Sequence, residues 1–141
     1  MVQSLADGST DTQQSAKAVL QLSGRILISA IFLISGYGKI TAPAATMGFI
    51  SSVGLPFPQI GLAIGIFVET VITAAFLIGY RTQLAAGILV IYCLVTAVFF
   101  HNHWSDPMQF MHFWKNIAMM GGLLHVVAMG GGRFSLDGRQ R

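Results

Sequence analysis

The stretch FPQIGLAIGIFVETVITAAFLIGY, Phe57–Tyr80, decides the fold of this chain. It supplies the ~20 apolar residues that a helix needs to cross a hydrocarbon core about 30 Å thick, and its one charged residue is Glu69. Three polar residues follow, Arg81-Thr82-Gln83, and then a second apolar run, LAAGILVIYCLVTAVFF, Leu84–Phe100. So short a turn between two such runs predicts antiparallel helical neighbours. Neither run alternates with a period of two, and an open sheet cannot sit in lipid with its edges unpaired. Working outward, a run from Ala18 to Ile40 precedes the pair and one from Phe113 to Met129 follows it. The runs Leu84–Phe100 and Phe113–Met129 are near the lower limit of about 17 residues for a span. The expected fold is all-α: a membrane-embedded four-helix bundle.

Composition agrees. The 141 residues suit a single domain, 54% are hydrophobic and only 9% are charged, where about 25% charged is usual. Mean hydropathy is +0.69. A water-soluble domain of this size could not cover its outside with so few charges. The net charge of +3 comes from residues near segment ends. It therefore reads as a topology signal and excludes a nucleic-acid partner. The single cysteine, Cys93, leaves no internal disulfide and no CxxC relay. There is no GxSxG, and Gly130-Gly131-Gly132 follows a helix without the GK[ST] of a phosphate loop.

Residues 1–17 are expected to form a flexible, uncleaved cytoplasmic tail, since they lack the basic start and apolar core of a secretory signal. Residues 18–130 form the transmembrane domain and 131–141 a cytoplasmic C-terminal tail. Between the first two spans, Ala44–Val53 lies among Pro43, Pro56 and Pro58, with Met47, Ile50 and Val53 at helical spacing. That predicts a short interfacial helix. Four spans put both termini on one side, with Lys17, Arg81, Arg133, Arg139 and Arg141, against Lys39 and Lys115 opposite. The positive-inside bias makes that side the cytoplasm.

Charges inside a membrane need a reason. Arg25 lies some seven residues into the first span, Glu69 roughly ten from the end of the second. At 1.5 Å per residue their depths differ by about 5 Å, so Arg25 and Glu69 are expected to pair or share a polar cavity. Arg25, Ser29, Phe32, Gly36 and Lys39 share one helical stripe, and Gly61, Gly65, Glu69 and Thr73 another. A buried pair that merely fixes helix register competes with a ligand or proton role. Lys39, Lys115 and Asn116 complete the expected polar pocket. His101, His103 and His112 are expected at its outer mouth as hydrogen-bonding residues, not metal ligands, because their spacing matches no closed zinc pattern. His125 is expected to be packed and hydrogen-bonded. The methionines near the fourth span, Met108, Met111, Met119, Met120 and Met129, read as adaptable packing.

These motifs in this order resemble the DoxX-type membrane proteins, from about Leu20 to Asp137. The resemblance rests on Gly24-Arg25-Ile26-Leu27, on Ser35-Gly36-Tyr37-Gly38-Lys39, and on Gly54-Leu55-Pro56-Phe57-Pro58 followed by Glu69. Gly79-Tyr80-Arg81-Thr82-Gln83-Leu84-Ala85-Ala86, Asn116 and Arg133-Phe134-Ser135-Leu136-Asp137 complete it. Thr70-Val71-Ile72-Thr73 departs from the family, where a second glycine pair often follows the helix-two Glu. The resemblance implies a four-helix bundle in the bacterial cytoplasmic membrane and a link to redox systems, as a subunit or accessory with quinone as a diffusible cofactor. The chain supplies no redox centre of its own, so such a role needs partner subunits. The other readings are a module that binds or transports a small amphiphile or lipid, as a homo-oligomer if it transports, and a scaffold without chemistry.

Overall fold

The computed structural model describes the backbone of residues 2–139 and the side chains of residues 11–139. Among the described residues the chain is all-helical. Helix α1 is Val2–Thr41 and α2 is Pro43–Ser52. Helix α3 is one continuous stretch made of an α-helical part Pro58–Phe67, a π-helical turn Val68–Ile72 and a last α-helical part Thr73–Ile78. Helix α4 is Thr82–Phe100, α5 is Pro107–Met129, and a 3-10 turn covers Asp137–Arg139. The expected short helix between the first two spans is α2. Prolines at the first turns of α2, α3 and α5 fit this pattern, because the N–H that proline lacks has no intrahelical partner there.

Among the described residues, three helical segments are long and apolar enough to cross a membrane: Asp11–Thr41, Pro58–Ile78 and Thr82–Phe100. Helix α5 is long enough but is diluted by His112, Lys115, Asn116, Gly121, Gly122 and His125, and is not among the three. Among the described residues, three of the four expected spans therefore meet that measure, and α5 does not. Phe32 of α1, Val68 and Phe76 of α3, Ala85, Ala86, Leu89 and Cys93 of α4, and Leu123 of α5 form one buried core. Outside it, large apolar side chains such as Leu20, Leu27, Ile34, Ile91 and Leu124 are exposed. That is the inside-out surface that lipid tolerates and water does not.

The two stripes read from the sequence face inward. Arg25, Ser29 and Phe32 are all under 5% exposed, and Gly36 is buried between α1 and α3. A Cβ at Gly36 would sit 3.0 Å from Thr70 Cγ2 and 3.1 Å from Glu69 Cβ, so the two backbones meet there. Small residues at a helix crossing allow such an approach.

This contact fixes the register and corrects the expected Arg25–Glu69 pair. Gly36 is the residue level with Glu69, and it lies about 16 Å along α1 from Arg25. Arg25 instead donates through Nη1 to the carbonyls of Leu77 (2.9 Å) and Phe76 (3.4 Å), and through Nη2 to that of Phe134. Helical side chains lean toward the N-terminus of their own helix. Arg25 therefore reaches away from Glu69, toward the α3–α4 turn.

That turn is an assembled structure. Gly79 takes a left-handed φ of 77°, and Tyr80 N–H reaches back to the Ala75 carbonyl at 2.9 Å, closing the helix end. Arg81 also has a positive φ, 44°, which is strained for a side chain of its size. The segment after α5 folds back over it. Asp137 accepts hydrogen bonds from the N–H groups of Arg81 (2.9 Å) and Thr82 (2.7 Å) and from the Thr82 hydroxyl (2.6 Å). It thus caps the start of α4 from 55 residues away. Leu136 and Asp137 N–H groups bond the Ile78 and Gly79 carbonyls.

The register makes a paired prediction. Gly36→Leu is expected to destabilise the protein by about 1–3 kcal/mol, because added atoms have nowhere to go in a packed contact. Gly38→Leu meets nothing within 4 Å and should be neutral or slightly stabilising, since glycine is a poor helix former. Thermal unfolding of both variants in one detergent decides the matter; equal melting temperatures would refute the α1–α3 contact.

Candidate functional site

Glu69 sits in the π-helical turn Val68–Ile72, where the Thr73 N–H bonds the carbonyl of Val68 five residues back and the Thr73 hydroxyl donates to the same carbonyl at 3.1 Å. Such a turn inserts a residue into the α pattern and re-aims its neighbours, and it is found mostly at functional positions. Here it turns a carboxylate into the bundle, 4% exposed. Lys39 of α1 leans toward its own N-terminus, and Glu69 leans toward that of the antiparallel α3, so the two converge. Lys39 Nζ donates to both carboxylate oxygens, at 2.9 and 2.8 Å. Tyr92 OH adds a bond to Oε1 at 2.8 Å and Ser35 Oγ one at 3.1 Å. Lys39 also donates to Ser35 at 2.9 Å. The carboxylate thus accepts four bonds and carries one counter-charge, which a buried ion pair needs to offset desolvation. Gly65 makes room for it: a Cβ there would press on Lys39 Cε at 3.3 Å and Tyr92 OH at 3.4 Å.

This cluster closes one end of a cavity of about 830 Å³. The volume is within the range of ligand sites, roughly 300–1,000 Å³. Its walls are apolar: Ile31 and Phe32 of α1, Phe49 and Ile50 of α2, Ile60 and Ile64 of α3, and Val95 and Met119 of α4 and α5. Helix α2 and the Leu55-Pro56-Phe57 turn cover it. Ile50 is the buried residue of α2, and Gly61 leaves space for its side chain. Phe57 holds a left-handed φ of 57° on the cavity wall, a strained conformation for a residue with a Cβ.

The other end is polar again. His101, His112, Lys115 and Asn116 line it. Asn116 is 6% exposed and donates to the His112 carbonyl at 3.0 Å. His101 Nδ1 pairs with Gln109 Oε1 at 2.7 Å, so it carries the proton. Lys115 Nζ lies 3.2 Å from His112 Nδ1. An ammonium only donates, so that nitrogen accepts and His112 is neutral with its proton on Nε2. His112 lies just outside the apolar run that starts at Phe113. Burial pushes its pKa below the ordinary imidazole value; Lys115 and His101 push the same way, and Asp106 opposes them.

The structure thus brings together five expected residues with Glu69: Lys39, Lys115, Asn116, His101 and His112. It separates two. Arg25 does not line the cavity; it is fully buried farther toward the N-terminus of α1, with Nη1 and Nη2 turned to carbonyls. His103 lies in the exposed loop between α4 and α5, outside the cavity. His125, expected to be packed, is exposed on α5. Sequence reasoning missed Ser35 and Tyr92. Both had a signal: Ser35 is one turn before Lys39, and Tyr92 and Thr96 are the two hydroxyl residues within the apolar run of α4. Among the described residues no group of three His, Cys, Asp or Glu side chains could hold a metal ion.

The ion pair predicts a non-additive result. Lys39→Met leaves a buried carboxylate without its counter-charge and is expected to cost about 3–5 kcal/mol of stability. Adding Glu69→Leu should recover most of that loss, because an apolar replacement of the whole pair is tolerated. Unfolding of both in detergent checks this, and a double variant less stable than Lys39→Met would contradict the pairing.

Comparison with known proteins places the chain. A family model described as DoxX matches residues 20–102. The inner membrane protein YphA of Escherichia coli (strain K12) is 32% identical over 130 residues, 89% of this chain and 93% of that protein. The inner membrane protein YqjF of the same organism is 32% identical over 116 residues, 82% of this chain and 88% of that one. A surfeit locus protein 4 homolog of Schizosaccharomyces pombe is 23% identical over 92% of this chain but only 40% of its own length. No solved structure matches. With the family model covering more than half its length, and with closely aligned relatives named as inner membrane proteins, this chain belongs to the DoxX family of membrane proteins.

Proposed function

We propose that this is a four-span protein of the bacterial cytoplasmic membrane, with both termini cytoplasmic, that binds a small amphiphile in the cavity beside Glu69. The observation that carries the reading is the cavity itself. It is about 830 Å³, apolar along its walls, and polar at both ends. Convergent polar groups in an otherwise apolar hollow are what a site for a small organic molecule requires. Intramembrane ionisable side chains point the same way.

Lys39 and Lys115, the two cations assigned to the outer side, both line the cavity, and Lys39 is committed to Glu69. Arg81, Arg133 and Arg139 cluster around the α3–α4 turn and the folded-back C-terminal segment at the other end. That distribution supports a cytoplasmic position for the turn and both termini. A green fluorescent protein fused to the C-terminus is expected to fluoresce in cells, and alkaline phosphatase inserted in the loop 101–106 to be active. The reverse pair of signals would invert the topology.

A second reading, a quinone-linked accessory of a redox complex, is favoured by Tyr92, Lys39 and Glu69 at the closed end. Glu69 offers an acceptor for a hydroxyl proton, held in place by the donors of Lys39 and Tyr92. The electrons would come from a partner subunit. Membranes carrying Glu69→Gln should then show slower quinone-dependent oxidation, and unchanged rates in membranes lacking the protein would end this reading.

For the main proposal the test is native mass spectrometry after gentle extraction. A small-molecule adduct is expected on the wild type and should be lost in Ile64→Trp, which fills the cavity. It should persist in Ile91→Trp, which faces outward at 64% exposure. An adduct that is absent from the wild type, or indifferent to Ile64→Trp, would refute it.

A further inference from the structure

The charges on the cavity wall do not cancel, and the imbalance names a ligand class. Lys39 and Glu69 neutralise each other at the closed end. Among the described residues Glu69 is the only carboxylate lining the cavity, and none of them gives Lys115 an acidic partner there. Asp106, the nearest acid along the chain, bonds the Met108 N–H at 2.8 Å and caps the start of α5. Lys115 Nζ gives one of its three protons to His112 Nδ1, leaving two free. The neutral His112 then offers its Nε2–H, and its ring packs against that of His101, centroids 5.1 Å apart. One uncompensated cation and an imidazole donor thus converge on the mouth of an apolar hollow.

From this we infer that the bound amphiphile is a single-chain acid, its anionic head held at the mouth by Lys115 and His112 and its chain lying along the apolar wall toward Tyr92. The inference rests on the amphiphile-binding reading above and sharpens it. The medium supplies the reason that the head must decide. Burying a chain in a protein gains little over leaving it among lipid tails, because both surroundings are apolar. Selectivity in a membrane therefore falls to polar contacts, and a charge-assisted hydrogen bond from an ammonium is among the strongest available. The head chemistry, carboxylate or phosphate, is shared by fatty acids and by single-chain lysophospholipid acids.

The test uses the full chain in nanodiscs of uncharged phosphatidylcholine, with the fluorescent polyene cis-parinaric acid as probe. Oleate, lysophosphatidate, oleyl alcohol and a decyl-chain quinone compete against it. Oleate or lysophosphatidate is expected to displace the probe at least about tenfold better than the alcohol, the scale of one hydrogen bond to a charged group. Whichever acid is stronger assigns the head as carboxylate or phosphate. Lys115→Met should erase the preference for acid over alcohol while the alcohol still competes, and Lys115→Arg should keep it. Equal competition by acid and alcohol in the wild type, an unchanged preference in Lys115→Met, or a quinone that outcompetes both acids would overturn the inference and leave the cavity reading intact. If no competitor and no probe binds saturably, the cavity reading itself fails, and this inference with it.

Discussion

Inside hydrocarbon an ionised side chain must find its partner within the protein, and the Lys39–Glu69 ion pair is the contact on which the rest of this structure depends. It joins α1 to α3 at the point where Gly36 lets the two backbones meet. Its carboxylate, aimed inward by the π-helical turn, also accepts the Tyr92 hydroxyl, and the pair lines the cavity. Arg25 solves the same problem differently. It satisfies carbonyls exposed where α3 ends and the C-terminal segment folds back. Lys39 therefore shapes the site, while Arg25 ties down the end of the bundle.

The position of the cavity follows from the arrangement of the connections. Helices α3 and α4 are joined by a tight turn that Asp137 caps, so that end of the bundle is closed. At the other end the α1–α3 connection is long enough to lay α2 across the opening. Helices α1 and α3 meet at Gly36 beside Glu69 and Lys39, and these side chains, with Asn116 of α5, put polar groups on the wall of the hollow. Buried polar groups must keep their partners in place, and this sustains a hollow where close packing would otherwise fill the space.

Much of this was legible in the sequence. The apolar runs gave the long helices, the prolines around Ala44–Val53 marked α2, and helical spacing put Arg25, Ser29, Phe32, Gly36 and Lys39 on one inward face. Lys39, Lys115, Asn116, His101 and His112 were legible beside Glu69 as polar residues within or at the ends of the apolar runs. The Arg25–Glu69 pair was not legible, because depth was counted from the ends of apolar runs. Those ends do not mark the contact: α1 extends past Ala18 toward the N-terminus, which shifts its register against α3. The side-chain lean toward each helix's own N-terminus would have favoured Lys39 over Arg25. Neither the π-helical turn nor the long-range cap by Asp137 has a local pattern. Both are tertiary arrangements, and the folded-back segment looked like a plain tail.

The most direct measurement of the central claim is photolabelling with a diazirine-bearing single-chain amphiphile in membranes, followed by peptide mapping. The account predicts adducts concentrated on α2, on the Leu55–Phe57 turn, and on cavity residues of α4 and α5 such as Val95 and Met119, with competition by unlabelled amphiphile. Adducts spread over the outward faces at Ile34, Ile91 and Leu124, and unaffected by competitor, would contradict it.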